Sequence, residues 1–206
     1  MQIFIHRVNT LEKLAEVPTK YGLEIDIRGF GGKLLLDHDP IDVNRDYDEL
    51  EQFLIAAKDH AGIILNVKEA GYEQQVLDLV EKYGIADYFL LDVEFPYLYA
   101  ATRKLGVRDI AVRYSEAEPI EAVEAQMVAG NPLLDWVWID TNTTLPLDAD
   151  TVHRLRSFKT CLVCPERWGR AEDIEPYATK MRELNFTPTA VMTALSQVEK
   201  WESVMN

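Results

Sequence analysis

Several side chains in the first 70 residues are of types that bind phosphate, bind a divalent cation or transfer protons. In chain order they are His6, Arg7, Glu24, Asp26, His38, Asn66 and Lys68. Glu24 and Asp26 stand two residues apart, so on a strand they project from the same face. Two carboxylates on one face repel each other unless a positive group lies between them. Mg²⁺ or Ca²⁺, which take oxygen ligands, would supply that charge, and so would Arg7, Arg28 or Lys68.

Two of the four histidines end apolar segments and are therefore candidates for proton transfer near neutral pH. His6 closes the segment QIFIH and is followed by Arg7. His38 follows KLLLD, and the glycines of the preceding RGFGG predict a turn that brings the chain back. We therefore expect His38 at the same end of the fold as His6. His60 and His153 fall in predicted helix or loop positions and are expected at the surface.

Short apolar segments alternate with longer amphipathic ones along the chain. The predicted strands are Gln2–His6, Leu23–Ile27, Ile63–Val67, Tyr88–Val93, Ile110–Arg113, Trp136–Asp140, Thr160–Cys164 and Ala190–Thr193. Most are densely apolar rather than alternating, which is typical of parallel strands covered on both faces. The predicted helices are Thr10–Tyr21, Tyr47–Asp59, Tyr72–Tyr83, Pro96–Leu105, Pro119–Ala129, Ala149–Ser157, Glu172–Leu184 and Ser196–Val204. Several of them end before a glycine, a common stop signal.

Eight strand–helix repeats in 206 residues predict an α/β fold, a (β/α)₈ TIM barrel forming one compact domain over residues 1–206. A doubly wound sheet is the alternative for the same alternation. That fold predicts a glycine-rich phosphate turn after the first strand, and the segment HRVNT contains no glycine. In a barrel the chemistry lies at the carboxyl ends of the strands, where the polar side chains named above are predicted to fall.

Composition excludes several classes of protein. The formal net charge is −14, which repels nucleic acid and anionic membranes at long range. No apolar segment is long enough for a membrane span, and the first residues lack the pattern of a signal peptide. With only two cysteines and no disulfide framework, we expect a soluble cytoplasmic protein.

The two cysteines form a C-x-x-C sequence, Cys161 and Cys164, within a predicted strand. Residues three apart on a strand face opposite sides about 10 Å apart, too far for a disulfide. We therefore expect core packing rather than redox chemistry or metal binding.

The first third of the chain resembles the glycerophosphodiester phosphodiesterase family. The matching segments are His6-Arg7, Glu24-Ile25-Asp26, His38-Asp39 and Lys68, in order and approximate spacing over residues 1 to about 70. The resemblance implies that the histidines act as general acid and base, that Arg7 and Lys68 bind the phosphate, and that the Glu-x-Asp pair binds Mg²⁺ or Ca²⁺. It implies as substrate a glycerophosphodiester-like molecule or a phosphodiester linked to a glycan or lipid.

The sequence departs from that family at two positions. Val8 stands where the family has glycine, and Asn66 stands where it has a glutamate that binds the metal. An amide oxygen can still bind a hard cation but brings no charge. The segment between His38 and the third predicted strand is also short, so a substrate-covering insertion is expected to be missing.

Two other functions remain open at this point. The first is a catalytically inactive barrel that binds a phosphate or phospho-sugar through Arg7 and Lys68. The second is an aldolase-type barrel in which Lys68 forms a Schiff base, although neighbouring carboxylates would raise the pKa of that lysine rather than lower it. The loop Cys164–Arg170 is a candidate for recognition of a substrate head group.

Overall fold

The computed structural model describes residues 1–205, which fall into two compact units. One unit is Phe4–Leu105, and the other combines Met1–Ile3 with the chain from Gly106 onward. No helix among residues 1–205 is both long enough and apolar enough to cross a bilayer.

The elements follow one another as alternating strands and helices. The strands are β1 Gln2–Ile5, β2 Gly22–Phe30, β3 Lys33–Leu36, β4 Ile63–Val67, β5 Tyr88–Leu91, β6 Ala111–Tyr114, β7 Met127–Val128, β8 Asn131–Pro132, β9 Trp136–Ile139, β10 Lys159–Val163 and β11 Ala190–Thr193. The α-helices are α1 Leu11–Glu16, α2 Leu50–Ala57, α3 Glu73–Tyr83, α4 Phe95–Ala100, α5 Ile120–Glu124, α6 Ala149–Leu155, α7 Ile174–Glu183 and α8 Val198–Met205. A π-helix, Ala101–Leu105, continues α4, and short 3₁₀ helices cover Pro165–Trp168, Ala171–Asp173 and Leu195–Gln197.

In the first unit the parallel strands lie in the order β1, β2, β4, β5. All five residues of β4 are buried, as the apolar sequence IILNV predicts. The register places Asp26 of β2 beside Asn66 of β4, which brings two of the predicted site residues together.

β2 and β3 form an antiparallel hairpin that extends the first unit beyond its parallel strands. The turn consists of Gly31 and Gly32, whose φ angles of 59° and 79° suit glycine. Ile27 pairs with Leu36, and the backbone N–H of Asp37 donates to the carbonyl of Asp26 at 3.2 Å. The chain therefore does turn back after β2, and the residues that follow β3 return to the middle of that strand.

In the second unit the parallel strands run from β6 through β9 and β10 to β11, which neighbours the start of β1. In each unit, therefore, parallel strands that are consecutive in the chain lie side by side. A doubly wound sheet would instead reverse its strand order at a switch point. The succession of strands is that of the predicted (β/α)₈ fold. That residues 1–206 form a single domain stays a prediction.

Three predicted helices differ from the observed ones. The helix predicted over Thr10–Tyr21 ends at Glu16, because Val17 precedes a proline and adopts an extended conformation. The helix predicted over Pro119–Ala129 ends at Glu124, and the antiparallel strands β7 and β8 follow it. The turn of that hairpin contains Ala129 and Gly130, both with positive φ, which ends any helical pattern there. The third, Pro96–Leu105, divides into α4 and the π-helix.

Candidate active site

The sequence-predicted site residues all lie in the first unit, within β2 and at or just beyond the ends of β1, β3 and β4. His6 and Arg7 follow β1, Glu24 and Asp26 belong to β2, Asn66 belongs to β4, Lys68 follows it, and His38 follows β3. A parallel fold brings these ends together, which is why residues far apart in sequence can share one site.

Glu24 is the most heavily contacted carboxylate of this group. It is 2% exposed, and its Oε1 accepts a hydrogen bond from Asn66 Nδ2 at 3.0 Å. Its Oε2 accepts one from the backbone N–H of Arg7 at 2.8 Å and lies 3.9 Å from His6 Nε2. Burial, with a further contribution from the charge of Asp26, raises the pKa of Glu24 to about 7. Glu24 therefore exchanges its proton near neutral pH.

Asp26 is 1% exposed and has two different kinds of partner. Its Oδ2 accepts a hydrogen bond from Asn9 Nδ2, and its backbone N–H donates to Asn9 Oδ1, both at 2.8 Å. Lys68 Nζ lies 3.0 Å from Asp26 Oδ1, an ion pair without hydrogen-bond geometry, and 3.7 Å from Asp92 Oδ2. Of the cations that could neutralise the paired carboxylates, Lys68 is the one that contacts Asp26.

Two residues at strand ends of this unit adopt left-handed backbone conformations. Arg7 has φ 53° after β1, and Asp92 has φ 60° after β5. This conformation costs a residue with a side chain about 1 kcal/mol or more. Residues held in this way concentrate at functional sites, where the surrounding contacts maintain them. At Arg7 the compensating contact is the hydrogen bond from its N–H to Glu24.

His38, which follows the β2–β3 hairpin, contacts the carboxylate of its neighbour Asp39. His38 Nδ1 lies 2.8 Å from Asp39 Oδ1, and the His38 carbonyl accepts a hydrogen bond from Arg28 at 2.6 Å. The hydrogen bond with His38 lowers the pKa of Asp39, and the charges of Arg7 and Arg28 lower it further. His38 remains partly exposed, so its ring is accessible to a ligand.

Sequence reasoning missed two members of this cluster, Asn9 and Lys13. Asn9 was expected to precede a helix, but Thr10 is the residue whose side chain caps α1, and Asn9 instead holds Asp26. Lys13 donates to the carbonyls of His6 and Arg7. The alternation of apolar segments carries no signal for these contacts. The polar pair Asn9-Thr10, which follows His6-Arg7-Val8, was the available hint.

The donor set of the cluster fits a hard divalent cation. Glu24 and Asp26 supply carboxylate oxygens, and Asn66 Oδ1 is buried without a hydrogen-bond partner among residues 1–205. An all-oxygen set is the one that Mg²⁺ and Ca²⁺ prefer. No three His, Cys, Asp or Glu side chains within the described chain converge as a metal site.

The second unit has its own polar cluster at strand ends. Asp140 Oδ2 accepts hydrogen bonds from Arg113 and from Trp138 Nε1. Glu166 Oε1 accepts from Cys164 Sγ, from Thr193 Oγ1 and from the backbone N–H of Ala194. Asp140 is thus paired within its unit, whereas Glu166 Oε2 is buried without a hydrogen-bond partner among the described residues.

The predicted head-group loop Cys164–Arg170 is largely a 3₁₀ helix. Arg170 donates to the carbonyls of Thr141, Asn142 and Thr143, so it ties the loop to the segment after β9. Cys161 and Cys164 are buried and form no disulfide, which confirms the expected core packing. Burial raises the pKa of the Cys164 thiol.

Comparisons with known proteins point to one kind of fold. No family model matches the chain, and no curated protein matches its sequence. A crystal structure of a glycerophosphoryl diester phosphodiesterase from Parabacteroides distasonis superposes with a TM-score of 0.67, covering 98% of this chain and 86% of that one. The chain has the fold of that phosphodiesterase.

The likeness in fold agrees with the motif resemblance in the first 70 residues, which was drawn from different observations. Sequence identity to this phosphodiesterase fold is 11%, so the likeness establishes the architecture alone. It supports the mixed α/β fold with parallel barrel strands that the sequence predicted.

Proposed function

We propose that the protein hydrolyses a phosphodiester at the carboxyl ends of β1, β2 and β4. The observation that carries this proposal is that buried polar atoms of opposite kinds in this group of residues lack a hydrogen-bond partner within the described chain. Arg7 Nε is buried without a hydrogen-bond partner among the described residues, and so are Asp26 Oδ1 and Asn66 Oδ1. A donor of this kind suits a phosphate, and the oxygens suit a cation.

Each side chain has a definite task in this reaction. The Arg7 guanidinium binds two phosphate oxygens in a fork, and Lys68 adds a second positive charge beside Asp26. His6 and His38 transfer protons in this reaction: one deprotonates the attacking water, and the other protonates the leaving alkoxide. The Nδ1 contact of His38 with Asp39 orients the ring and leaves Nε2 for the substrate.

Glu24, Asp26 and Asn66 would hold a Mg²⁺ or Ca²⁺ ion. Bound there, the ion would supply positive charge against the phosphate oxygens. Asn9 keeps the Asp26 carboxylate in one orientation through two hydrogen bonds. The substrate class that follows is a glycerophosphodiester-like molecule or a phosphodiester linked to a glycan or lipid, because no long covering segment lies between His38 and β4.

Calorimetric titration of metal-stripped protein with Mg²⁺ and Ca²⁺ tests the cation site. We expect one ion to bind the wild type and none to bind Asp26→Asn. Asp140→Asn is the matched control, since it removes a strand-end carboxylate of the other unit and should leave the affinity unchanged. Equal binding to wild type and Asp26→Asn would contradict the assignment.

A panel of phosphodiesters then tests turnover, with His38→Ala as the inactive control. Release of an alcohol by the wild type and not by His38→Ala supports hydrolysis. If no member of the panel is cleaved with saturating metal, the hydrolytic proposal fails.

A second candidate is a barrel that binds a phosphate or phospho-sugar without turnover. One observation favours it: Lys68 already places a positive charge 3.0 Å from Asp26, and Asn66 donates to Glu24 instead of adding a third carboxylate. Binding of inorganic phosphate that is lost in Arg7→Met, together with absence of metal binding, would support this candidate over hydrolysis.

A further inference from the structure

The backbone at His6 and Arg7 presents two successive carbonyl groups to one side chain. In an extended strand, successive carbonyls point in opposite directions. Because Arg7 leaves the strand with φ 53°, both carbonyls instead turn toward Lys13, whose Nζ donates to the His6 carbonyl at 3.1 Å and to the Arg7 carbonyl. Two carbonyl oxygens directed at one point repel each other unless a positive donor lies between them.

Lys13 reaches this position because of how α1 begins. Thr10 caps the helix, and its Oγ1 accepts a hydrogen bond from the backbone N–H of Lys13 at 3.1 Å. The N–H of Leu11 donates to Asp48 Oδ2 at 2.7 Å, which fixes the same turn to the segment before α2. The start of the helix is therefore anchored at two points, and the Lys13 stem extends from it toward the His6–Arg7 turn.

The other side of this turn faces Glu24. The Arg7 N–H donates to Glu24 Oε2 at 2.8 Å, and His6 Nε2 lies 3.9 Å from that same oxygen. The orientation of the turn thus determines both the hydrogen bond to Glu24 and the position of the His6 ring beside it.

We propose that Lys13 is a positioning residue, whose ammonium group holds the His6–Arg7 turn so that Arg7 N–H and the His6 ring meet Glu24. This role rests on the proposed function, because positioning matters for turnover only if His6 and Arg7 act on a phosphodiester. Lys13 itself touches neither the substrate nor the reacting atoms. Loss of its charge releases the two carbonyls, and the left-handed conformation of Arg7 loses its support.

Kinetic measurements on the metal-loaded protein separate positioning from a general structural role. In Lys13→Met we expect kcat to fall roughly 100-fold, the size typical of a misplaced catalytic group, with a much smaller change in KM. Lys13→Arg retains a cation and should recover most of kcat. Lys58→Met, at the exposed end of α2, is the control and should behave as wild type. Equal kcat in Lys13→Met and wild type overturns the inference.

Chemical rescue tests whether charge is the property that matters. Ethylammonium should restore part of the activity of Lys13→Ala, whereas ethanol at the same concentration should not. Rescue by both compounds, or by neither, would contradict a role for the ammonium group.

Amide hydrogen exchange tests the inference even if the wild type cleaves no phosphodiester. We expect the Arg7 amide to exchange at least about tenfold faster in Lys13→Met than in wild type, because its bond to Glu24 opens more often. The Lys68 amide, which donates to the Ile27 carbonyl at 3.0 Å, is the internal control and should not change. If the wild type cleaves no phosphodiester, the proposed function is wrong. If the exchange rate of the Arg7 amide is the same in Lys13→Met and wild type, the positioning role of Lys13 is wrong.

Discussion

The two units differ in how the buried carboxylates on their strands are paired. In the first unit, Asp26 and Glu24 are both buried, and burial raises the pKa of Glu24 to about 7. In the second unit, burial also raises the pKa of Asp140, but its carboxylate is paired with Arg113 and Trp138. Glu166 is intermediate: its Oε1 accepts from three donors, whereas its Oε2 is buried without a hydrogen-bond partner among the described residues. The contrast is therefore between Asp26 and Asp140, because a buried carboxylate oxygen without a hydrogen bond retains the capacity to bind something else.

Residues other than glycine with a left-handed backbone conformation also lie at different kinds of position in the two units. In the first unit the left-handed residues other than glycine are Arg7 and Asp92, both at strand ends beside the carboxylates. In the second unit they are Ala129, in the β7–β8 turn, and Asn185, directly after the end of α7. The latter two occupy positions where turns and helix ends commonly require this conformation. In the first unit, therefore, the left-handed residues lie beside the candidate active site. In the second unit they lie where the chain changes direction, at a turn and after a helix.

The largest expected difference is between Asp26→Asn and Asp140→Asn. We expect Asp26→Asn to reduce phosphodiester turnover by about 100-fold to 1,000-fold, as for loss of a group that stabilises transition-state charge. Asp140→Asn should leave turnover nearly unchanged but lower the free energy of unfolding by about 1–3 kcal/mol, because Arg113 loses its charged partner. Steady-state kinetics and urea unfolding measure the two effects. A comparable loss of turnover in both variants would abolish the distinction between the units.

The second prediction concerns the pH dependence of stability in the metal-free protein. The pKa of Glu24 rises from 4.5 to about 7 on folding, so the folded state binds more protons than the unfolded state between these values. The free energy of unfolding should therefore fall as pH rises from about 4.5 to about 7, by about 3 kcal/mol in total. Denaturant midpoints across this range should show the slope in wild type and a flatter curve in Glu24→Gln. An identical slope in the variant would contradict the assignment to Glu24.

The third prediction concerns the competition between Lys68 and a divalent cation. Removing the ammonium group in Lys68→Met frees Asp26 Oδ1, so Mg²⁺ affinity should rise about tenfold, while phosphate binding weakens. Arg113→Met, which exposes Asp140 in the same way, should gain no comparable affinity. Calorimetry measures both variants. A weaker Mg²⁺ affinity in Lys68→Met would indicate that the lysine supports the cation site rather than competing with it.

The smallest expected effect concerns the two cysteines, which we expect to stay unreactive in the folded protein. Burial and the neighbouring charge of Glu166 raise the pKa of the Cys164 thiol. In the folded protein at pH 8 we expect neither cysteine to react with an aromatic disulfide reagent within minutes, whereas both react after unfolding. Rapid labelling of the native protein would show that the second unit also presents a reactive group.

The sequence predicted the positions of the eight parallel strands and which of their residues share a face, but it did not predict the antiparallel strands β3, β7 and β8. Continuous apolar segments locate β1, β4 and β11, and the two-residue period places Glu24 with Asp26. The glycines before β3 predicted the turn that returns His38. These features depend on residues that are close together in the chain, so the local sequence pattern is sufficient to predict them.

The partners of the polar groups could not be predicted in the same way. Lys68 contacts Asp26 and Asp92 because β2, β4 and β5 align in a particular register, which no local pattern encodes. Asn66 turns its amide nitrogen toward Glu24, a choice that depends on the buried surroundings of that carboxylate. The left-handed Arg7 is also unexpected, because nothing in an arginine signals that conformation.

The first strand has a consequence for how the protein is made. Phe4 and Ile5 of β1 pair with Gly22 and Leu23, which leave the ribosome soon afterwards. The N–H of Gln2 donates to the carbonyl of Thr189, which is synthesised much later. Until Thr189 has been synthesised, the start of this apolar strand therefore has an open edge, the kind of surface on which nascent chains associate and chaperones act.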